Sequence, residues 1–214
     1  MGISSYIDFL ASNRAMKARP PVQDGKLIER EKNMKHLNVK NLVTAAVCLA
    51  LCLVLPFLTG QIPQIGSALC PMHIPVLLAG FLCGPWWAAA VGLIAPLLRH
   101  VLFHTPPLLT AAAMCFELGT YGLVSGLLYR LLPKRSSSIY ASLIAAMLAG
   151  RVVWGVVRVL LTGVSGEAFT WEMFLAGAFI KAVPGIIIHI ALIPLLVMAL
   201  KRAGFFGRDT AFAY

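Results

Sequence analysis

This chain of 214 residues carries a net charge of +10, yet it is 59% hydrophobic and only 12% charged. Soluble domains cover themselves with about 25% charged residues, so this composition, with a mean hydropathy of +0.84, excludes a water-exposed fold and predicts a polytopic membrane protein. The basic charge sits in the tails and one loop without interleaved aromatics, which fits a cytoplasmic face against anionic lipid more plainly than a nucleic-acid surface.

Residues 1–40 hold eight of the eighteen Lys and Arg. They lack an apolar core followed by a small-residue cleavage site, so they do not read as a secretory signal. Ile3, Ile7, Leu10 and Ala11 recur at helical spacing. That leaves two readings open, a helix lying on the membrane surface or an irregular tail ending at Arg19-Pro20-Pro21. The first span is expected over 41–60, NLVTAAVCLALCLVLPFLTG, with small residues Ala46 and Ala50 four apart. A charge-free loop over 61–72 contains Pro63, Gly66 and Pro71. The apolar run over 73–84 is short for a crossing, which takes about 20 helical residues.

Gly84-Pro85 breaks the chain before a third span over 86–103, and His104-Thr105-Pro106-Pro107 turns it into a fourth over 108–132. A basic loop with Pro133, Lys134 and Arg135 leads to a fifth span over 139–161. A short acidic mouth with Gly163, Gly166, Glu167 and Glu172 follows, then a sixth span over 171–200 and the Lys201-Arg202 flank. Positive flanks stay cytoplasmic. Both termini and the fourth loop are therefore expected inside, which requires an even number of crossings before each. The expected fold is all-α integral membrane, with six transmembrane helices, the second short or partly irregular. Its parts are a basic cytoplasmic tail (1–40), a substrate-binding membrane domain (41–203) and a second tail (204–214).

The five cysteines, Cys48, Cys52, Cys70, Cys83 and Cys115, show no metal-ligand spacing and read as small packing residues. No cofactor is expected, and there is no phosphate-cradling glycine loop, zinc cluster or serine elbow. Any ATP hydrolysis would fall to another polypeptide.

Ionisable groups within spans are costly and mark function. At about 1.5 Å per residue, Glu117 lies roughly 14 Å in from the outer end of its span, Lys181 roughly 15 Å, and Arg151 roughly 18 Å from the inner end. All three fall near the midplane of a core about 30 Å thick. Arg99 lies slightly outward, and Arg158, His100 and His104 nearer the surface. Arg151 and Arg158 are seven apart and share a helical face close to Trp154, while Glu117 and Tyr121 are four apart. These groups can converge on a cavity opening outward, or they can form salt bridges that only fix packing. Because Arg99, Arg151 and Lys181 outnumber Glu117, an anionic ligand is expected, held by charge-assisted hydrogen bonds. Trp154, Trp171, Tyr121 and Phe116 are candidate aromatic walls. His73 and His189 read more simply as hydrogen-bonded packing residues.

The combination of a basic tail, an Ala46/Ala50 first span, the run Met72-His73-Ile74-Pro75-Val76-Leu77-Leu78-Ala79-Gly80-Phe81, the Gly84-Pro85 break and Phe116-Glu117-Leu118-Gly119-Thr120-Tyr121-Gly122 resembles a known family. It is similar to the substrate-binding S component of an energy-coupling factor (ECF) transporter, in the broad riboflavin and pantothenate group, over roughly residues 40–203. The resemblance implies capture of a water-soluble vitamin or cofactor precursor from outside a bacterial or archaeal plasma membrane. It implies docking through Ala46 and Ala50 on a transmembrane T component driven by two ABC ATPases. It also implies a lid from the loops at 61–72, 104–107 and 163–170, beside the substrate site that depth and spacing place at Arg99, Glu117, Tyr121, Arg151, Trp154, Arg158 and Lys181. The rival reading from another class is a stand-alone secondary transporter with Glu117 as proton carrier. It would carry inverted repeats in many cases, and none is evident.

Overall fold

The computed structural model describes residues 21–58, 69–133, 135–165, 170–177 and 182–204. By chain contacts the protein divides into residues 1–40 and residues 41–214. The helical spacing of Ile3, Ile7, Leu10 and Ala11 lies outside the described residues. The first helix, α1, is Pro21–Leu58 and so begins well before the expected start of the first span. Proline in the first helical turn lacks only an N–H that would go unpaired there. The segment after it is rich in Lys, Glu, Arg, Met and Leu, residues that hold helical geometry well.

In the second unit, α2 is His73–Leu82, α3 Pro85–Phe103, α4 Leu108–Leu131, α5 Ser136–Ser165, α6 Trp171–Leu175 and α7 Val183–Arg202. Among the described residues every regular element is helical. Five stretches are long and apolar enough to cross a bilayer: Val39–Leu58, Pro85–Phe103, Leu108–Leu131, Ser136–Gly163 and Val183–Arg202. The chain is an integral membrane protein. The expected sixth span is divided among the described residues into α6 and α7, with 178–181 outside them.

The helix ends follow from local chemistry. Gly84 caps α3 at φ 89°, a left-handed conformation that glycine takes without steric cost, and Pro85 follows at the first helical position. His104 closes α3 in the left-handed region, and its N–H donates to the His100 carbonyl at 2.8 Å. Leu132 is extended at ψ 152° because Pro133 follows and disfavours a helical residue before it.

α4 is the central strut. It packs against α2, α3 and α5, while α7 packs against α2 and α5. More than half of its apolar window (56%) is buried, more than in any other spanning helix described. Close approach on one side of α4 is made possible by missing side chains. A Cβ added at Gly122 would sit 2.5 Å from the Ala88 carbonyl, and one at Gly126 2.7 Å from the Pro85 nitrogen. Gly92 and Gly80 are closed off in the same way, by the Leu118 backbone and the Ser125 hydroxyl. In lipid, helices associate through van der Waals packing, and small residues allow the closest contact. α2 shows the reverse economy. At ten residues it reaches only about 15 Å, but His73, Pro75, Val76, Leu77, Ala79, Gly80 and Phe81 are all buried. Shelter among neighbouring helices on both sides explains its unbroken apolarity.

In α1, Ala45, Cys48, Cys52 and Pro56 are buried at helical spacing, and the first three join the core with Val76, Leu77, Ala79, Leu118 and Tyr121. The remaining surface of the same stretch is exposed, including Leu42, Val43, Ala46, Val47, Ala50 and Val54.

Candidate functional site

Four elements bring polar groups together inside this apolar bundle. α4 supplies Glu117, 2% exposed, and one turn later Tyr121, fully buried. The Tyr121 hydroxyl donates to Glu117 Oε1 at 3.0 Å. α5 supplies Arg151, 7% exposed, whose Nη1 lies 3.0 Å from the same oxygen. From the first residue of α2, His73 Nε2 approaches Oε1 to 3.6 Å. The His73 ring stands edge-on to Tyr121 at 5.4 Å and stacks on His189 of α7 at 5.9 Å between centroids. Arg151 Nη2 reaches Cys70 Sγ, just before α2, at 4.0 Å. A Cβ on Gly150 would occupy the space of the Tyr121 ring, so the glycine beside Arg151 is what admits the tyrosine.

Charge balances within this group. A buried carboxylate and guanidinium at 3.0 Å neutralise each other, and removing either would strand the other in a medium that solvates charge poorly. Among the described residues, the guanidinium that pairs with Glu117 is that of Arg151.

Farther along α5, Trp154 stacks on Phe174 just before the end of α6 (centroids 6.4 Å, interplanar 29°), and the Arg158 guanidinium lies 6.0 Å from the Trp154 ring centre. Arg158 is about 10 Å along the helix from Arg151, so this aromatic and basic group forms a second tier of the same face. Both Trp154 and Arg158 are half-buried.

Arg99 stands apart from both tiers. It donates from Nη1 to the Leu53 carbonyl at 2.9 Å, and its guanidinium lies 5.4 Å from the Phe57 ring and 5.6 Å from the Phe103 ring. Leu53 lies three residues before Pro56 within α1. Pro56 has no N–H to give the Cys52 carbonyl four residues back, and Arg99 donates to the next carbonyl along, that of Leu53. His100 is likewise engaged locally, its Nδ1 2.8 Å from the Pro106 carbonyl. Phe116 is 53% exposed and takes no part in either tier. Lys181 and the Trp171 side chain lie outside the described residues. The surplus of cations that pointed to an anionic ligand is thus smaller than the sequence count, since Arg151 faces Glu117 and Arg99 faces a carbonyl and two rings.

His73 and His189 are the members of the cluster that the sequence reading treated as packing. Depth could have found His189. It lies 13 residues before Arg202 (202 − 189), about 20 Å from that end, close to the level of Arg151. Cys70 and Gly150 left no comparable signal.

The described residues thus define a helical membrane protein with a paired carboxylate and guanidinium buried inside its bundle. Comparison with family models then gives the family. The model described as ECF transporter, substrate-specific component matches residues 40–197, well over half of the chain, and the chain belongs to that family. It is a substrate-binding membrane subunit of an ECF transporter and not itself an enzyme. The curated proteins and the solved structures yielded no match.

Proposed function

We propose that this subunit captures a small water-soluble vitamin or cofactor precursor from outside the cell and delivers it by docking on a transmembrane T component energised by two ABC ATPases. The buried Glu117–Arg151 pair, with Tyr121 on the same carboxylate oxygen, is the observation that carries the ligand site. A preorganised polar group amid apolar walls is what a small-molecule site needs. In this reading Glu117, Tyr121 and Arg151 form the floor and Trp154 and Arg158 the wall toward the mouth, with Lys181, which lies outside the described residues, a further cation. Arg99 acts at one remove, by fixing α1 against α3. The lid implied by the resemblance, from the loops at 61–72, 104–107 and 163–170, belongs to the same reading; 61–68 and 166–169 lie outside the described residues, and 163–165 are the last turn of α5.

Both termini face the cytoplasm in this account, and α2 with the loop before it makes the second of six crossings. Docking uses the Ala46/Ala50 face of α1. Its support is that both alanines are exposed while Ala45, Cys48 and Cys52 of the same helix are buried. Small residues on an open face let a partner backbone come close. The resident membrane is the bacterial or archaeal plasma membrane.

The test is uptake into proteoliposomes of the small molecule that co-purifies with the chain, with and without the T component and ATPases. Uptake should require both partners and ATP. Uptake that persists without them and collapses with the proton gradient would establish instead a stand-alone carrier working through Glu117.

A further inference from the structure

We infer that the floor of this site reads an uncharged amide-like or ureide-like edge, a group that offers an N–H donor and a carbonyl acceptor side by side, through His73, His189 and Arg151. The inference rests on the substrate-capture reading of the same site and adds the chemistry of what it takes.

Three observations carry it. Among the described residues the formal charges of the floor are matched, since Arg151 Nη1 and the Tyr121 hydroxyl both engage Glu117 Oε1 at 3.0 Å. A carboxylate brought there would have to compete with Glu117 for Arg151 while lying beside it, and like charges repel most strongly where water is excluded. Secondly, specific hydrogen-bonding capacity is left over. His73 is 2% and His189 1% exposed. Nδ1 of His73, Nε2 of His189 and Nε of Arg151 are buried without a hydrogen-bond partner, and His73 Nε2 has only Glu117 Oε1, at 3.6 Å. Buried polar atoms are nearly always paired, and exceptions call for a functional account. Thirdly, the kind of capacity can be assigned. Nε2 is the His189 ring nitrogen left unpartnered, and the Cys70 backbone acts on the ring as a hydrogen-bond acceptor would. A ring nitrogen facing a carbonyl carries the proton, so in the neutral ring Nε2 presents a lone pair. Arg151 Nε can only donate. A lone-pair acceptor and a donor in one cluster are the complement of an N–H beside a C=O. The two imidazoles, with centroids 5.9 Å apart and planes at 19°, already stack on each other, so the ligand meets their edges.

Compact matched probes test this, because a single small ring reaches only one tier. Saturation-transfer NMR on the purified full-length chain in detergent would compare uracil with orotate, and nicotinamide with nicotinate. The uncharged member of each pair is expected to bind at least tenfold more tightly than its acid. His189→Phe should abolish uracil binding, while His189→Asn, which keeps an edge with a donor and an acceptor, should retain it, both with the parent's thermal stability. Equal or tighter binding of the acids overturns the inference and leaves substrate capture standing, as does uracil binding that survives His189→Phe. Absence of binding by both uracil and nicotinamide also overturns it. Failure of partner-dependent uptake, measured separately, would instead remove the reading on which it rests.

Discussion

Glu117→Gln removes one charge from the centre of the bundle and leaves the volume nearly unchanged. In the parent, Glu117 Oε1 faces Arg151 at 3.0 Å and accepts from Tyr121 at 3.0 Å, with both charged side chains under one-tenth exposed. Breaking a buried ion pair from one side costs about 3–5 kcal/mol, mostly the price of the stranded charge. Replacing both partners with neutral groups of similar size is often nearly neutral. Glu117→Gln and Arg151→Gln should therefore each destabilise by about 3 kcal/mol or more, and the double variant by much less than their sum. A double-mutant cycle on denaturant unfolding in a defined detergent measures this, with a coupling of about 2 kcal/mol or more expected between contacting charges. Additive losses, or single losses below about 1 kcal/mol, would refute a buried pair and return Arg151 to the pool of free cations.

Gly122→Ala and Gly126→Ala place a methyl against the Ala88 and Pro85 backbones. Each should destabilise by about 1–3 kcal/mol, whereas Gly163→Ala, with open space around its Cβ, should be neutral or stabilise by up to about 1 kcal/mol in thermal melts. Gly150→Ala should displace the Tyr121 ring and weaken binding of the co-purifying solute at least tenfold in equilibrium dialysis. Arg99→Met should lower stability while leaving that affinity within twofold of the parent. Ala46→Leu with Ala50→Leu should abolish ATP-driven uptake and leave binding by the isolated subunit unchanged; loss of both would mean that the pair packs within the bundle.

Much of this organisation is legible in the residues. Span-length apolar runs, Gly84-Pro85 and Pro133 mark the helices because backbone groups in lipid must be paired internally and proline and glycine end that pairing. Glu117, Arg151 and Tyr121 are found by depth and by helical spacing, since a charge at mid-membrane is too costly to be incidental. Partner choice is not legible in the same way. Arg99 sits almost as deep as Arg151, and only the three-dimensional path of α1 past α3 shows that it serves the Leu53 carbonyl and two phenylalanines. Small-residue spacing is similarly ambiguous. Gly122 and Gly126 repeat four apart just as Ala46 and Ala50 do, yet the glycines are closed by neighbouring helices and the alanines lie open. The histidines escape for a further reason: a neutral imidazole carries no charge that would flag it at depth, and its significance comes from nitrogens left unpartnered after folding.

Native mass spectrometry of the purified chain, released gently from detergent, tests the central claim that the Glu117–Arg151 centre holds the transported solute. The account predicts one small molecule per parent chain and its loss from the folded Glu117→Gln/Arg151→Gln double variant. A parent that carries no solute, or a double variant that retains the same one, would contradict it.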